Sequence, residues 1–344
     1  MNNNHYTLQE IRGQPDAWAE AVQVVGNQVE ALKRLWQDGD FDQVIFTGCG
    51  STYYLSQASA ALFQKLTGSP ARAFPGGELV LYPKTAYPRQ GQTLVVAVSR
   101  SGTTSETIQA LKTFKETGRG RAVVVTNYPE SPLAGLGDLV VGLPTGQEQS
   151  VAQTRSFASM YVATAAISST LGGREDLVEA MEALPGVGER LITDYDNLAR
   201  TLGGNLELDR FYYLGSGPRY GIACEGNLKM KEMTLTRAEP FHFFEFRHGP
   251  MSLVTESALM IGLLSETNHS LELAVLDEMK QLGAEILTMG ESNTEVAFAS
   301  GLPEDICDVL YLPVLQLMAY YRSVAKGLDP DRPRNLSAVV KLDL

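Results

Sequence analysis

The run Ser99-Arg100-Ser101-Gly102-Thr103-Thr104-Ser105 gathers hydroxyls, a guanidinium and a glycine into seven positions. It follows the apolar stretch Leu94-Val95-Val96-Ala97-Val98 and precedes an amphipathic stretch from Glu106 to Lys115. That order predicts a strand, a tight hydroxyl-rich turn and the start of a helix. The N–H groups and positive dipole end of a helix start favour an anion. Ser and Thr add donors without bulk, and glycine lets the backbone approach closely. Phosphate is the natural guest. The run lacks the lysine of the Gly-x-x-x-x-Gly-Lys-Ser/Thr nucleotide loop, so a phosphorylated metabolite fits better than a nucleoside triphosphate. Read alone, the same residues equally describe an ordinary polar helix cap.

A second group lies in Glu225-Gly226-Asn227-Leu228-Lys229-Met230-Lys231-Glu232. On a helix Glu225, Lys229 and Glu232 fall at i, i+4 and i+7 and share one face. His248 follows in the turn Glu245-Phe246-Arg247-His248-Gly249-Pro250. Carboxylate and imidazole are common general acid/base groups. A solvated Glu-Lys face and a surface histidine would leave the same trace. Their occurrence in one chain with a phosphate-type loop is what points to chemistry.

The elements that must position these groups are arranged as two copies of one layout. Trp18, Ala21, Val22, Val25, Val29, Leu32 and Trp36 recur at helical spacing in an N-terminal arm, residues 1–36. Val44-Ile45-Phe46 then enters Thr47-Gly48-Cys49-Gly50-Ser51-Thr52, and the Ser99 unit, Ala122–Thr126 and Leu139–Val141 follow. Phe211–Leu214 enters Gly215-Ser216-Gly217-Pro218 in the same manner, with Leu259–Leu264 and Ile286–Met289 after it. The offset holds near roughly 165 residues, as an internal repeat requires. Short apolar strands alternating with helices predict an α/β fold with parallel sheets covered on both faces. The expected domains are 37–180 and 195–330, with a tail over 331–344. Helical stretches between Arg174 and Leu198, broken at Pro185-Gly186, link the domains. The copies differ where it matters: Ser99-Arg100-Ser101-Gly102 is answered by Ser265-Glu266-Thr267-Asn268, with an acid in place of the arginine. One copy is therefore expected to bind the anion and the other to serve a different use.

A net charge of −12 disfavours nucleic acid as a partner, because backbone phosphates need a basic face. No apolar run approaches the ~20 residues that span a bilayer, so no membrane partner is expected. The start Met1-Asn2-Asn3-Asn4-His5 shows no secretory leader. Cys49, Cys224 and Cys307 have no metal-ligand spacing and read as reduced thiols of a cytoplasmic protein. No metal or organic cofactor is expected.

These residues together resemble tandem sugar isomerase (SIS) domain proteins, most closely the isomerase half of glutamine–fructose-6-phosphate aminotransferase and its stand-alone relatives. Cys49-Gly50-Ser51-Thr52-Tyr53 looks like the family's first phosphate turn, and Ser99–Thr104 like its Ser-Gln-Ser-Gly-x-Thr loop, with Arg100 for glutamine. Val151-Ala152-Gln153-Thr154-Arg155 looks like Val-Ala-Ser-Thr-Lys. Glu225 to Glu232 matches Glu-Gly-x-Leu-Lys-x-Lys-Glu, Arg247–Pro250 looks like Lys-His-Gly-Pro, and Asp331–Leu336 resembles the family tail. The resemblance implies two SIS domains, each a flavodoxin-like three-layer sandwich. It implies that Ser51, Thr52, Ser99, Arg100, Ser101 and Thr104 hold a sugar phosphate, with Gln153 in the substrate-binding set. It further implies that Glu232 moves the proton between C1 and C2. Lys229 would orient it, and His248 would assist ring opening from the partner subunit of a homodimer with shared active sites.

Two departures bear on the reaction. A glutaminase domain does not precede the first SIS domain, so glutamine-dependent synthesis by this chain alone is not expected. Ala338 stands where the aminotransferases carry a tail lysine, and Lys341 lies close by. Chemistry resting on Glu232 and His248 then fits a deaminase/isomerase. Such an enzyme converts an amino-sugar 6-phosphate, glucosamine- or galactosamine-like, to a ketose 6-phosphate and ammonia through an enolamine. A fructosamine-6-phosphate deglycase and a non-catalytic sugar-phosphate sensor are the alternatives.

Overall fold

The computed structural model describes residues 5–88, 90–340 and 342; Lys341 lies outside them. The chain divides into two compact units interleaved in sequence. The first comprises Gly13–Glu148, Arg155–Pro185 and the chain end from Ser337. The second comprises the segment up to Arg12, Gln149–Thr154 and Gly186–Leu336.

In the first unit the apolar runs become strands β1 (Gln43–Gly48), β2 (Ala71–Pro75), β3 (Thr93–Ser99), β4 (Gly120–Thr126) and β5 (Leu139–Gly142). They form one parallel sheet in the order β2-β1-β3-β4-β5. Every residue of β1 and β3 is buried, which is why they read as unbroken apolar runs rather than alternating ones. One core, around Ile45, Val95, Val124, Leu111 and Phe114, fills one side of the sheet. Helix Arg155–Leu171 is buried from Ser156 to Thr170. Its Ala, Ser and Thr residues allow close approach, and Thr164 meets Ser59 of helix Ser51–Thr67 hydroxyl to hydroxyl at 2.7 Å.

The second unit repeats the plan with β6 (Arg210–Leu214), β7 (Arg237–Phe241), β8 (Ala258–Leu263), β9 (Glu285–Gly290) and β10 (Val296–Ala297). Its parallel sheet runs β10-β9-β8-β6-β7, the same winding read from the other edge. Tyr212, Leu214, Met260, Leu276 and Phe246 form a core cluster. Helix Leu312–Ala325 is buried from Leu312 to Ser323, as Arg155–Leu171 is in the first unit. Both sheets thus have the doubly wound order of flavodoxin-like folds. In such sheets ligands sit beyond the strand carboxyl ends, where the winding direction reverses. Those points are β1/β3 in the first unit and β6/β8 in the second.

Of the N-terminal arm, helices Gln14–Gly26 and Val29–Gly39 belong to the first unit, with Trp18, Ala21, Val25 and Leu32 buried. Helix Tyr6–Arg12 belongs to the second unit. There the Asp331 carboxylate accepts the N–H groups of Tyr6 and Thr7, at 3.0 and 2.8 Å, and the Thr7 hydroxyl at 2.7 Å.

Candidate active site

In the first unit both anion-type turns stand at the β1/β3 reversal. After β1, Gly50 adopts φ +58, where a side chain would be strained. Thr52 closes this turn: its hydroxyl accepts the Cys49 N–H at 2.9 Å and donates to the Cys49 carbonyl at 3.0 Å. Thr52 therefore shapes the turn, and Ser51 begins the helix beside it, also buried.

After β3, Ser99 Oγ accepts the Gly102 N–H at 3.1 Å and fixes the loop. Gly102 is required there: its φ is +60, and a Cβ would stand 1.9 Å from Ser131 Oγ. Ser101 Oγ accepts both the Thr103 N–H (3.2 Å) and the Thr103 hydroxyl (3.0 Å), leaving its own proton for an outside acceptor. Thr104 precedes helix Ser105–Glu116 in extended conformation, and its hydroxyl makes no capping bond. The hydroxyls of Ser101 and Thr104 are half-buried donors at a helix start, a suitable set for a phosphate.

Arg100 is engaged within its own unit. Its Nη2 donates to the Ala338 carbonyl at 3.0 Å, and Nη1 lies 3.5 Å from Glu148 Oε2. The Glu148 side chain is fully buried and also receives the N–H and hydroxyl of Ser156 at the start of helix Arg155–Leu171. The Leu342 N–H donates to Ser105 Oγ at 3.0 Å. The tail position Ala338 is thus held by the arginine of the anion loop.

The acid/base group lies in the second unit. Helix Arg219–Thr234 places Glu225, Lys229 and Glu232 on one face, as their spacing predicts. Lys229 is 1% exposed, with Nζ 3.2 Å from Glu225 Oε1 and 2.7 Å from Glu232 Oε2. Burial works to lower the Lys229 pKa, but the two carboxylates win and raise it above the ordinary lysine value. Lys229 is accordingly an ammonium at neutral pH, with no lone pair for imine formation. Glu225 is sealed in the interior, whereas Glu232 keeps a 21% exposed side chain and is the carboxylate of this group that a ligand can reach.

His248 sits on an exposed turn after the short helix Phe243–Phe246. The turn is fixed by Arg247, which forks onto Glu278 with bonds of 2.8 and 2.6 Å. Among the described residues the His248 side chain makes no hydrogen bond; its backbone N–H donates to the Glu245 carbonyl at 3.0 Å. Gln153 also belongs to the second unit. Its segment is tied down by Glu10, which accepts the Gln149 and Ser150 N–H groups and the Ser150 hydroxyl, and by the Val151 N–H to Asp331 carbonyl bond. Burial pushes the Cys224 and Cys307 thiols up to about 12, so neither is a thiolate nucleophile at neutral pH.

Residues 40–169 and 207–299 match the SIS domain family, one segment for each sheet. The chain belongs to the SIS domain family. As an SIS protein it is similar to the glutamine–fructose-6-phosphate aminotransferases of Methanothermobacter thermautotrophicus (27% identity) and Pyrobaculum aerophilum (30%). The matches cover 99% and 98% of this chain, and in each case the chain spans 58% of the relative's length. Among solved structures, a glucosamine-6-phosphate deaminase from Thermotoga maritima is similar over 98% of this SIS chain and 100% of its own. It has 26% identity and a TM-score of 0.83. The tagatose-6-phosphate ketose/aldose isomerase of Escherichia coli, at 21% identity and TM-score 0.85 over 95% of each chain, shares the fold.

Sequence reading missed Glu148, Glu10 and Arg219. Each is a charged residue whose partner lies on a distant stretch of chain, and no local pattern announces it. Arg219 is nine-tenths buried, with Nη2 3.1 Å from Glu304 and Nη1 3.2 Å from Asp308.

Proposed function

We propose that this SIS protein is a glutamine-independent phosphosugar isomerase that deaminates an amino-sugar 6-phosphate. The observation that carries the reading is Glu232, a reachable carboxylate held by a buried ammonium. Full-length likeness to a glucosamine-6-phosphate deaminase supports it. So do two hydroxyls of the anion loop: Ser101, which accepts from Thr103 and keeps its own proton to donate, and Thr104, which makes no capping bond.

The phosphate would be bound by Ser101, Thr104 and the helix start, with Ser51, Thr52, Ser99 and Arg100 shaping the two turns and Gln153 contacting substrate. Remote phosphate binding supplies affinity and register rather than chemistry. His248 would serve the ring oxygen during opening. In the open chain Glu232 takes the C2 proton while the C1 oxygen gains one, giving an enolamine across C1 and C2. Glu232 returns its proton to C1. The resulting C2 imine takes up water and releases ammonia, leaving a ketose 6-phosphate. One base over two adjacent carbons suffices for both proton transfers. Lys229 holds the Glu232 carboxylate in place and keeps Glu225 neutralised. The exposed, unpartnered His248 suits a homodimer in which each site takes its histidine from the partner subunit.

The test is ammonia release with glucosamine 6-phosphate and with galactosamine 6-phosphate, with ketose formation followed in parallel. Stoichiometric ammonia and ketose 6-phosphate support the reading. Turnover of a fructosamine 6-phosphate without either product would replace it with the deglycase. Tight binding without turnover of any of these would replace it with a sensor.

A further inference from the structure

The loops after β3 and β8 are built alike. In the first unit the Gly102 N–H donates to Ser99 Oγ at 3.1 Å. In the second the Asn268 N–H donates to Ser265 Oγ at 2.9 Å. Each closes a turn three residues long and leads into a helix, Ser105–Glu116 or His269–Gln281. Thr267 therefore stands where Ser101 stands, and Glu266 where Arg100 stands.

The second loop already holds an anion, supplied by the chain itself. Glu304 Oε1 accepts the Glu266 backbone N–H at 2.9 Å and lies 3.1 Å from Arg219 Nη2. Glu304 Oε2 accepts the Thr267 hydroxyl at 2.9 Å. A backbone N–H, a hydroxyl and a guanidinium converge on two oxygens, the donor set that recognises a carboxylate or one edge of a phosphate. Arg219, the first residue of helix Arg219–Thr234, is buried there and is also paired with Asp308. The surroundings favour a singly charged occupant. Burial together with the charges of Glu304 and Glu291 raises the Glu266 pKa, so a dianion would meet more repulsion than a carboxylate does.

We propose that Glu304 is a built-in ligand of the second unit's loop, filling the anion position that the first unit leaves open for a phosphate ester. The duplication thereby yields one phosphate site per chain instead of two. This inference rests on the reading of the Ser99–Thr104 loop as the phosphate site, and its test separates the two.

The experiment uses the full chain carrying Ser101→Ala and Thr104→Ala, which disable the first loop, with and without Glu304→Ala. Isothermal titration and thermal unfolding are followed with sodium acetate, matching the severed side chain, and with inorganic phosphate. The expected result is one anion bound per chain and a rise in Tm only where Glu304 is removed, acetate acting at lower concentration than phosphate. Adding Thr267→Val should abolish the gain. If the Glu304→Ala protein folds only when acetate or phosphate is present, that rescue supports the inference equally. A variant that folds without either and answers to neither overturns it, as does one that neither anion rescues. Failure of glucosamine 6-phosphate to bind the chain with both loops intact would instead count against the phosphate site of the first unit, whatever Glu304→Ala does.

Discussion

Lys229 donates a 2.7 Å hydrogen bond to Glu232 one helical turn on, while the same ammonium lies 3.2 Å from Glu225. The relation is asymmetric: the lysine and Glu225 are sealed, and Glu232 reaches solvent. A buried cation between two carboxylates leaves one negative charge in excess, and the accessible partner is where a proton can be received.

Glu232→Gln should lower kcat by about 10²–10⁴-fold, the usual contribution of a general base, while sugar-phosphate affinity changes little. Titration calorimetry beside steady-state rates checks this. A kcat within a few-fold of wild type would move the base elsewhere.

Lys229→Met leaves Glu225 buried without its cation and should cost about 3–5 kcal/mol of stability. The raised Lys229 pKa has a signed consequence. Its contribution is fully present below the unfolded-state value near 10.5 and is lost as pH rises through the higher folded-state value. Wild-type Tm should therefore fall above that pH, and the fall should be shallower in Lys229→Met.

Ser101→Ala with Thr104→Ala should weaken glucosamine 6-phosphate binding by about 10–100-fold per lost charge-assisted bond. The kcat should change far less. An unchanged Kd would remove these hydroxyls from the phosphate site.

Arg100→Gln cuts the bond to the Ala338 carbonyl and leaves Glu148 buried without its cation. Stability should drop, by less than the about 3–5 kcal/mol of a fully orphaned buried charge, because Ser156 still donates to Glu148. Hydrogen exchange at Leu342, whose N–H bonds Ser105, should accelerate.

His248→Ala touches an exposed, unbonded side chain and should alter stability by less than about 0.5 kcal/mol, yet it should slow turnover. If the histidine acts across a dimer, mixing unfolded His248→Ala and Glu232→Gln chains and refolding them together should restore part of the activity, because some mixed dimers carry one intact site. No recovery in dimers shown to be mixed would place both groups on one chain.

The strands, the two reversal-point loops and the Glu225–Lys229–Glu232 face follow from the sequence alone, because each is a short-range pattern. The middles of fully buried parallel strands are apolar runs, a tight turn against Ser131 must have glycine at position 102, and helical spacing alone puts the three charges on one face. The repeat was legible for the same reason. The partners of Arg100, Glu10 and Arg219 were decided only by the tertiary structure. For Arg100, expected at the phosphate, the structure adds partners that no local pattern gives: Glu148 and the Ala338 carbonyl, the latter 238 positions away. Glu266, read as the residue that set the second copy apart, contributes its backbone N–H, and the charge that matters there is Glu304. Coulombic pairing depends on distance in space and on burial, and a sequence records neither.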